Sequence, residues 1–413
     1  MAIQIQKNTL SNGLKVIVHE DHTTPLASFN VAYNVGSRDE NPDHTGLAHL
    51  MEHFMFCGSK NVPRYDTMLQ KVGATNNAYT SQDMTHYYIL LPANNLETAF
   101  WLESDRMLEL AFEQQSLDVQ KHVVIEEFKE SYLNRPYGDL MMLFNGLVYE
   151  RHPYQWLPIG KETKHIANVD MDLIKDFHHR FYSPDNAVLV VAGDVHFDEV
   201  MTLAEKWFGD IPASGFTKPA YPHELPQEKA RKLVVKRPVP SDMLMKGWLM
   251  CDRMHPDYYG FDLLSDLLGT GQSSWLYKKF VVDKPLFTDL DACVSGTADE
   301  GVLMIMGRPA EGVSLEDADK YLTDYLYNIP FDDTLKHDLQ KVQNRAEGVL
   351  LNNSIKIDDR GANIAVWETF GTSEYFLNET QHYFDVTEAQ IKRLAHENIC
   401  QKRENTLYYC ADK

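Results

Sequence analysis

A chain of 413 residues exceeds the ~250–300 residues over which a single hydrophobic core keeps growing, so two domains are expected. Its net charge of −21 argues against nucleic acid and anionic membrane surfaces as partners. A composition of 44% hydrophobic and 24% charged residues excludes disorder, collagen and a disulfide scaffold.

The five cysteines, Cys57, Cys251, Cys293, Cys400 and Cys410, form no CxxC pair and leave one over, which suits structural thiols in a reducing compartment. The opening MAIQIQKNTLSNGLKV shows no basic segment followed by an apolar run, so no signal peptide is expected. The longest apolar stretch, AVLVVAG at 187–193, falls far short of the ~18–20 residues of a membrane span. A cytoplasmic location without a membrane span follows as the expectation, with a periplasmic one as the alternative if a leader has been removed.

In chain order, LKVIVHED and ASFNVAYNVGS alternate as strands around a turn. Residues 45–57 then switch to helical spacing. YDTMLQKVG predicts a short helix closed by Gly73, and NNAYTSQDMTHYYILLP a strand pair ending at Pro92. LETAFWLESDRMLELAF and SLDVQKHVVIEEFKESYLN predict amphipathic helices, the second with Ser116 as its cap. YSPDNAVLVVAGDV predicts a buried strand and FDEVMTLAEKWFGDIP the helix after it. Strict βαβ alternation is missing, so the fold class is α+β.

The proline-rich, aperiodic stretch 213–229 predicts a linker, between an N-terminal domain at 1–212 and a C-terminal one at 230–413. VDMDLIKDFHHRFYSPDNAVLVVAGD (169–194) and VTEAQIKRLAHENICQKRENTLYYCAD (386–412) share a capped helix, a polar turn with Asn and a closing apolar strand. An internal duplication is therefore expected.

The chemistry concentrates in HLMEH, residues 49–53. On a helix, His49 and His53 lie one turn apart on one face and can hold one metal, while Glu52 stands at the edge of that face, within reach of a water. Zinc with a neighbouring carboxylate is the pairing that peptide hydrolysis needs: the metal polarises, and the carboxylate carries the proton. A catalytic zinc usually takes a third protein ligand. Glu126, Glu127 and Glu130 are the candidates on the helix SLDVQKHVVIEEFKES; Glu127 borders the apolar face and is favoured, Glu130 is the fallback, and Glu126 sits on the polar side.

The blocks LSNGLKVIV, VGSRDENPDHTGLAHLMEHFMFCGS, VGATNNAYTSQDMTHYYILLP, VVIEEF, HPYQWLPIG and YSPDNAVLVVAGD resemble, in order, those of the inverzincin zinc metallopeptidases related to pitrilysin, insulin-degrading enzyme and mitochondrial processing peptidase. The resemblance covers most of residues 9–210, and its length fits the short two-domain branch. It implies two similar domains, each an antiparallel-rich sheet packed with helices. It implies one zinc per chain held by His49, His53 and Glu127, with Glu52 as general base. Asn77 and Ala78 match the family's substrate-pairing edge strand, which takes unfolded peptides through main-chain hydrogen bonds.

Three positions depart from the family pattern. Gln120 stands where many members carry a second glutamate that supports the site; it can hydrogen-bond but adds no charge. Cys57, one turn after His53, is expected to be a packing thiol. In the second half, Val281 and Thr288 occupy the places where members that act alone carry an arginine and a tyrosine facing the substrate. A heterodimer with a related subunit lacking HxxEH is therefore expected, with a homodimer as the other arrangement.

Overall fold

The computed structural model describes residues 3–412, which divide into two compact units. Six strands form the sheet of the first: β1 Gln6–Thr9, β2 Lys15–Glu20, β3 Leu26–Tyr33, β4 Thr75–Thr80, β5 Thr85–Pro92 and β6 Ala187–Gly193. Their order across the sheet is β1-β2-β6-β3-β5-β4. The β-branched run of β6 is buried at every position because it lies between a parallel β2 and an antiparallel β3. β4 stands at the edge, paired with β5 alone.

The second unit holds β7 Arg231–Arg237, β8 Met243–Leu249, β9 Phe287–Val294, β10 Val302–Pro309 and β11 Asn405–Ala411, ordered β7-β11-β8-β10-β9. Here β11 is parallel to β7 and antiparallel to β8, which repeats the relation of β6 to β2 and β3. The expected echo is also present locally. Asp170 caps the helix Met171–Phe181 through Leu173 N, and Thr387 caps Glu388–Asn398 through Gln390 N. Each of these helices runs through a 3₁₀ turn into an interior strand, β6 or β11. Both sheets pack with helices, as the α+β expectation had it.

Neither unit is a continuous stretch. The first comprises residues up to Lys129 together with Trp156–Ala220 and Leu351–Asn378; the second comprises Glu130–Gln155, Tyr221–Leu350 and Glu379 onward. This differs from contiguous domains at 1–212 and 230–413 in two segments, and the reason lies in the second face of each sheet. In β3 the residues alternate Phe29 and Val31 with Ser28 and Asn30, a pattern that reads as one face in water. Yet Ser28 and Asn30 are 1% and 0% exposed, because the helix Ile357–Phe370 lies across β3 and β6. A Cβ added at Gly361 of that helix would come within 2.5 Å of Asn30 Nδ2. In the second unit the helix Leu140–Val148 covers the sheet in the same way, with Phe144 packed against Met245 and Leu407.

Two further expectations are adjusted. The helix with Glu127 starts at Gln114, after Glu113, so Ser116 lies inside it and does not cap it. Residues 213–229, the expected linker, form no helix or strand; the two units divide within them after Ala220, and Lys218 Nζ pairs with Asp39 Oδ1 at 2.8 Å. Among the described residues no helix is long and apolar enough to cross a membrane.

Candidate metal centre

HLMEH occupies the helix Leu47–Phe54. Leu47, Leu50, Met51 and Phe54 are buried, so packing turns the histidines to the opposite edge. The helix N-terminus has no side-chain cap of its own: Gly46 precedes it at φ +88, where a Cβ would meet Ile159 O at 2.8 Å. The cap comes from Glu40, whose Oε2 accepts from Gly46 N at 2.9 Å and whose Oε1 accepts from Ala48 N at 2.8 Å. Trp156 Nε1 adds a third donor to Glu40 Oε2 at 3.0 Å. Burial pushes the Glu40 carboxyl up to about 8, while the donors from Ala48, Gly46 and Trp156 pull it down. These three donors favour the ionised form against that burial.

The structure brings His49, His53 and Glu127 together: each offers a ligand atom within 4.8 Å of the others. Glu127 Oε1 lies 3.9 Å from His49 Nε2 and Glu127 Oε2 lies 3.6 Å from His53 Nε2. Ligands about 2.0–2.1 Å from a tetrahedral zinc stand roughly 3.3–3.4 Å apart, so a small inward movement would close the set. Burial, and then the neighbouring His53, push His49 down to about 4, which keeps its imidazole in the neutral form that ligates. Two imidazoles and a carboxylate, with a fourth position left open, suit zinc.

Glu127 sits near the end of the helix Gln114–Phe128, whose buried residues are Leu117, Val124 and Phe128. Glu126 faces solvent and pairs with Lys129. Glu130 falls in the π-helical turn Lys129–Leu133 and outside the ligand cluster.

Glu52 is not part of that cluster. It is 9% exposed, and its Oε2 accepts a 2.6 Å hydrogen bond from Thr80 Oγ1. Burial raises its carboxyl to about 6; the Thr80 bond lowers it and the Glu127 charge raises it further. Thr80 was not a candidate from the sequence. It ends β4, so one hydroxyl ties the carboxylate beside the ligands to the sheet edge that carries Asn77 and Ala78. The T of NNAYT was a possible signal, three residues after Asn77. Thr80→Val removes a bond to a charged acceptor, worth roughly 1.5–3 kcal/mol; peptide turnover should drop at least about tenfold with metal content unchanged, which steady-state assays and metal analysis can check.

The remaining predicted residues fall as follows. Asn77 is exposed and Ala78 half-buried on β4, and Asn77 Oδ1 accepts from Ala78 N at 2.9 Å. Gln120 hydrogen-bonds the Cys57 thiol, and Cys57 Sγ contacts the His53 carbonyl at 3.8 Å. Gln120 thus reaches the histidine helix through Cys57, whose thiol burial pushes upward, as suits a packing residue. Val281 packs on the core of the second unit. Thr288 lies on edge strand β9 with its hydroxyl on the Arg308 carbonyl at 3.2 Å.

Two family models match the chain: that of the insulinase family, peptidase family M16, over residues 15–138, and that of the peptidase M16 inactive domain over residues 168–345. Among curated proteins, a zinc protease, PqqE, of Helicobacter pylori is 29% identical over 97% of this chain and 91% of its own. An uncharacterised zinc protease, YmxG, of Bacillus subtilis is 26% identical over 91% of each chain. Among solved structures, a protease from Helicobacter pylori superposes with a TM-score of 0.89 at 28% identity, covering 98% of this chain and 99% of that one. The two-sheet architecture, the order of the sequence blocks and these matches agree: the chain belongs to the M16 peptidase family.

Proposed function

We propose that this chain is a zinc-dependent endopeptidase that hydrolyses unstructured peptides docked as an added strand on β4. The observation that carries the reading is the division of labour in one small site. His49, His53 and Glu127 converge as ligands, while Glu52 stands beside them, buried and fastened to the substrate-docking strand through Thr80.

Zinc, when bound by the three residues, supplies Lewis acidity towards a carbonyl oxygen and towards water. Glu52 takes a proton from the attacking water and delivers it to the leaving amine. Its Oε2 is held by Thr80, so Oε1 is the atom that handles the proton. The open edge of β4 offers main-chain groups to a peptide of any sequence, and pairing there sets the scissile bond in register with Glu52.

Val281 and Thr288 offer neither a cation nor a phenol, so the substrate clamp opposite the zinc comes from a partner. That partner is a related subunit lacking HxxEH; a second copy of this chain is the alternative arrangement, and because it carries the same Val281 and Thr288 it would pair with this chain without adding the clamp. The five free cysteines suit a reducing, cytoplasmic setting.

The competing role is a non-catalytic binding subunit; an intact set of His49, Glu52, His53 and Glu127 favours catalysis over it. Incubating the purified chain with an unfolded peptide, alone and with such a related subunit, tests the proposal. Cleavage that 1,10-phenanthroline abolishes and added zinc restores is the expected result. Zinc binding without cleavage in either mixture would favour the binding subunit, and cleavage that survives metal removal would overturn the zinc mechanism.

A further inference from the structure

A second group of metal-ligating side chains lies in the first unit and shares no residue with the HxxEH cluster: Glu20, His22 and His196. The sheet topology brings them together. β2 and β6 run parallel in a register that opposes Glu20 to Gly193, so both strands leave the sheet at the same end. His22 follows two residues after Glu20, and Asp194 and His196 follow directly on Gly193. His196 then begins the helix Phe197–Phe208 as its N-cap residue.

Glu20 Oε2 lies 3.7 Å from His22 Nε2 and 3.8 Å from His196 Nδ1. These spacings match those at the HxxEH cluster, where the corresponding distances are 3.9 and 3.6 Å. The other Glu20 oxygen, Oε1, accepts from Phe197 N at 2.8 Å; this fixes the carboxylate with Oε2 turned to the two imidazoles.

A second, independent feature points to a ligand. His22 Nδ1 lies 2.7 Å from Asp194 Oδ1; without a metal the two carboxylates favour the protonated ring, and on metal binding the proton facing Glu20 is the one displaced, leaving Nδ1–H on Asp194 and Nε2 as the ligand atom. A carboxylate on the far nitrogen of a ligating histidine is the support that metal sites use to fix tautomer and ring orientation. Glu20 Oε1 has a structural role at the start of the helix, but the contacts of the two imidazoles add little to stability, because exposed ion pairs of this kind contribute about 0–1 kcal/mol and His22 and His196 are 49% and 71% exposed at the side chain.

We propose that Glu20, His22 and His196 form a surface site for a divalent transition metal, zinc in the first instance, oriented by Asp194 and completed by water. Two imidazoles and one carboxylate select zinc, nickel or copper over magnesium and calcium, which take oxygen ligands. The bound ion would join the turn after β2 to the start of the helix after β6.

The test is the number of Zn2+ ions bound per chain, by isothermal titration and by metal analysis after equilibrium dialysis, in the full-length protein. His22→Ala/His196→Ala should bind one ion fewer than wild type, with an unchanged circular dichroism spectrum. Asp194→Asn should retain the site at roughly 10–100-fold weaker affinity, as loss of an orienting carboxylate does elsewhere. The readout is a difference between variants, so it stands whether or not His49, His53 and Glu127 hold zinc. A double variant that binds as many ions as wild type, with the same affinities, overturns the site.

Discussion

Glu52→Gln should lower peptide turnover by about 10²–10⁴-fold, the range general acid–base groups supply, while zinc content stays at the wild-type level. The amide has the size of the carboxylate and keeps a carbonyl oxygen for Thr80 Oγ1, now 2.6 Å from Glu52 Oε2, so the geometry survives. What is lost is the ability to take up and return a proton. The ligand residues give the opposite pattern: His53→Ala should lose zinc and turnover together, because a site of two remaining ligands no longer holds a catalytic ion. Metal analysis beside a steady-state assay separates the two. Turnover of Glu52→Gln within a factor of two of wild type would remove Glu52 from the chemistry.

The sequence made the ligand cluster legible because the relevant distances are local. His49 and His53 need only a helix to share a face; Glu127 was favoured by its place beside Val124 on a second helix and singled out by the family resemblance. The strands were legible for the same reason, since alternation in LASFNVAY and the continuous run AVLVVAG depend on neighbours a few residues away. The pairing of β6 with β2 and β3 was not stated by any local pattern, yet the helix–turn–strand echo at 169–194 and 386–412 pointed to two sheets built alike.

What escaped the sequence depends on contacts far apart in the chain. Ser28 and Asn30 have the polarity of a solvated face, and only a helix more than 300 residues later explains their burial. A division at 213–229 follows composition; the physical units follow which helix covers which sheet, and each half of the chain lends one such helix to the other unit. Thr80 looked like an ordinary strand residue because its partner, Glu52, comes from a helix on the far side of a loop. Ser116 failed as a cap because the helix found an extra half turn of favourable residues before it, starting at Gln114.

Glu40 is the clearest case of a residue hidden by its neighbourhood, and it carries the largest expected effect on stability. In the run SRDENPDH it reads as one more solvated charge, yet it is 6% exposed and caps the histidine helix from six residues before Gly46. Glu40→Ala would leave Gly46 N, Ala48 N and one bond of Trp156 Nε1 without their acceptor. Trp156 keeps the Ser37 carbonyl at 2.9 Å, so two backbone donors carry most of the cost. At about 1–3 kcal/mol for each unsatisfied buried donor, the variant should unfold at a lower denaturant concentration, by on the order of 3 kcal/mol. The loss should not stop at stability. His49 follows Ala48 directly, so a frayed first turn loosens one ligand while His53, a full turn further on, stays in place, and zinc affinity should fall together with the unfolding midpoint. Glu40→Gln separates cap from charge: it retains one acceptor oxygen, and its amide nitrogen opposes a donor. It should therefore lie between wild type and Glu40→Ala in both measurements. Equal stability of all three proteins in urea titrations would show that the helix does not depend on Glu40 for its N-terminus.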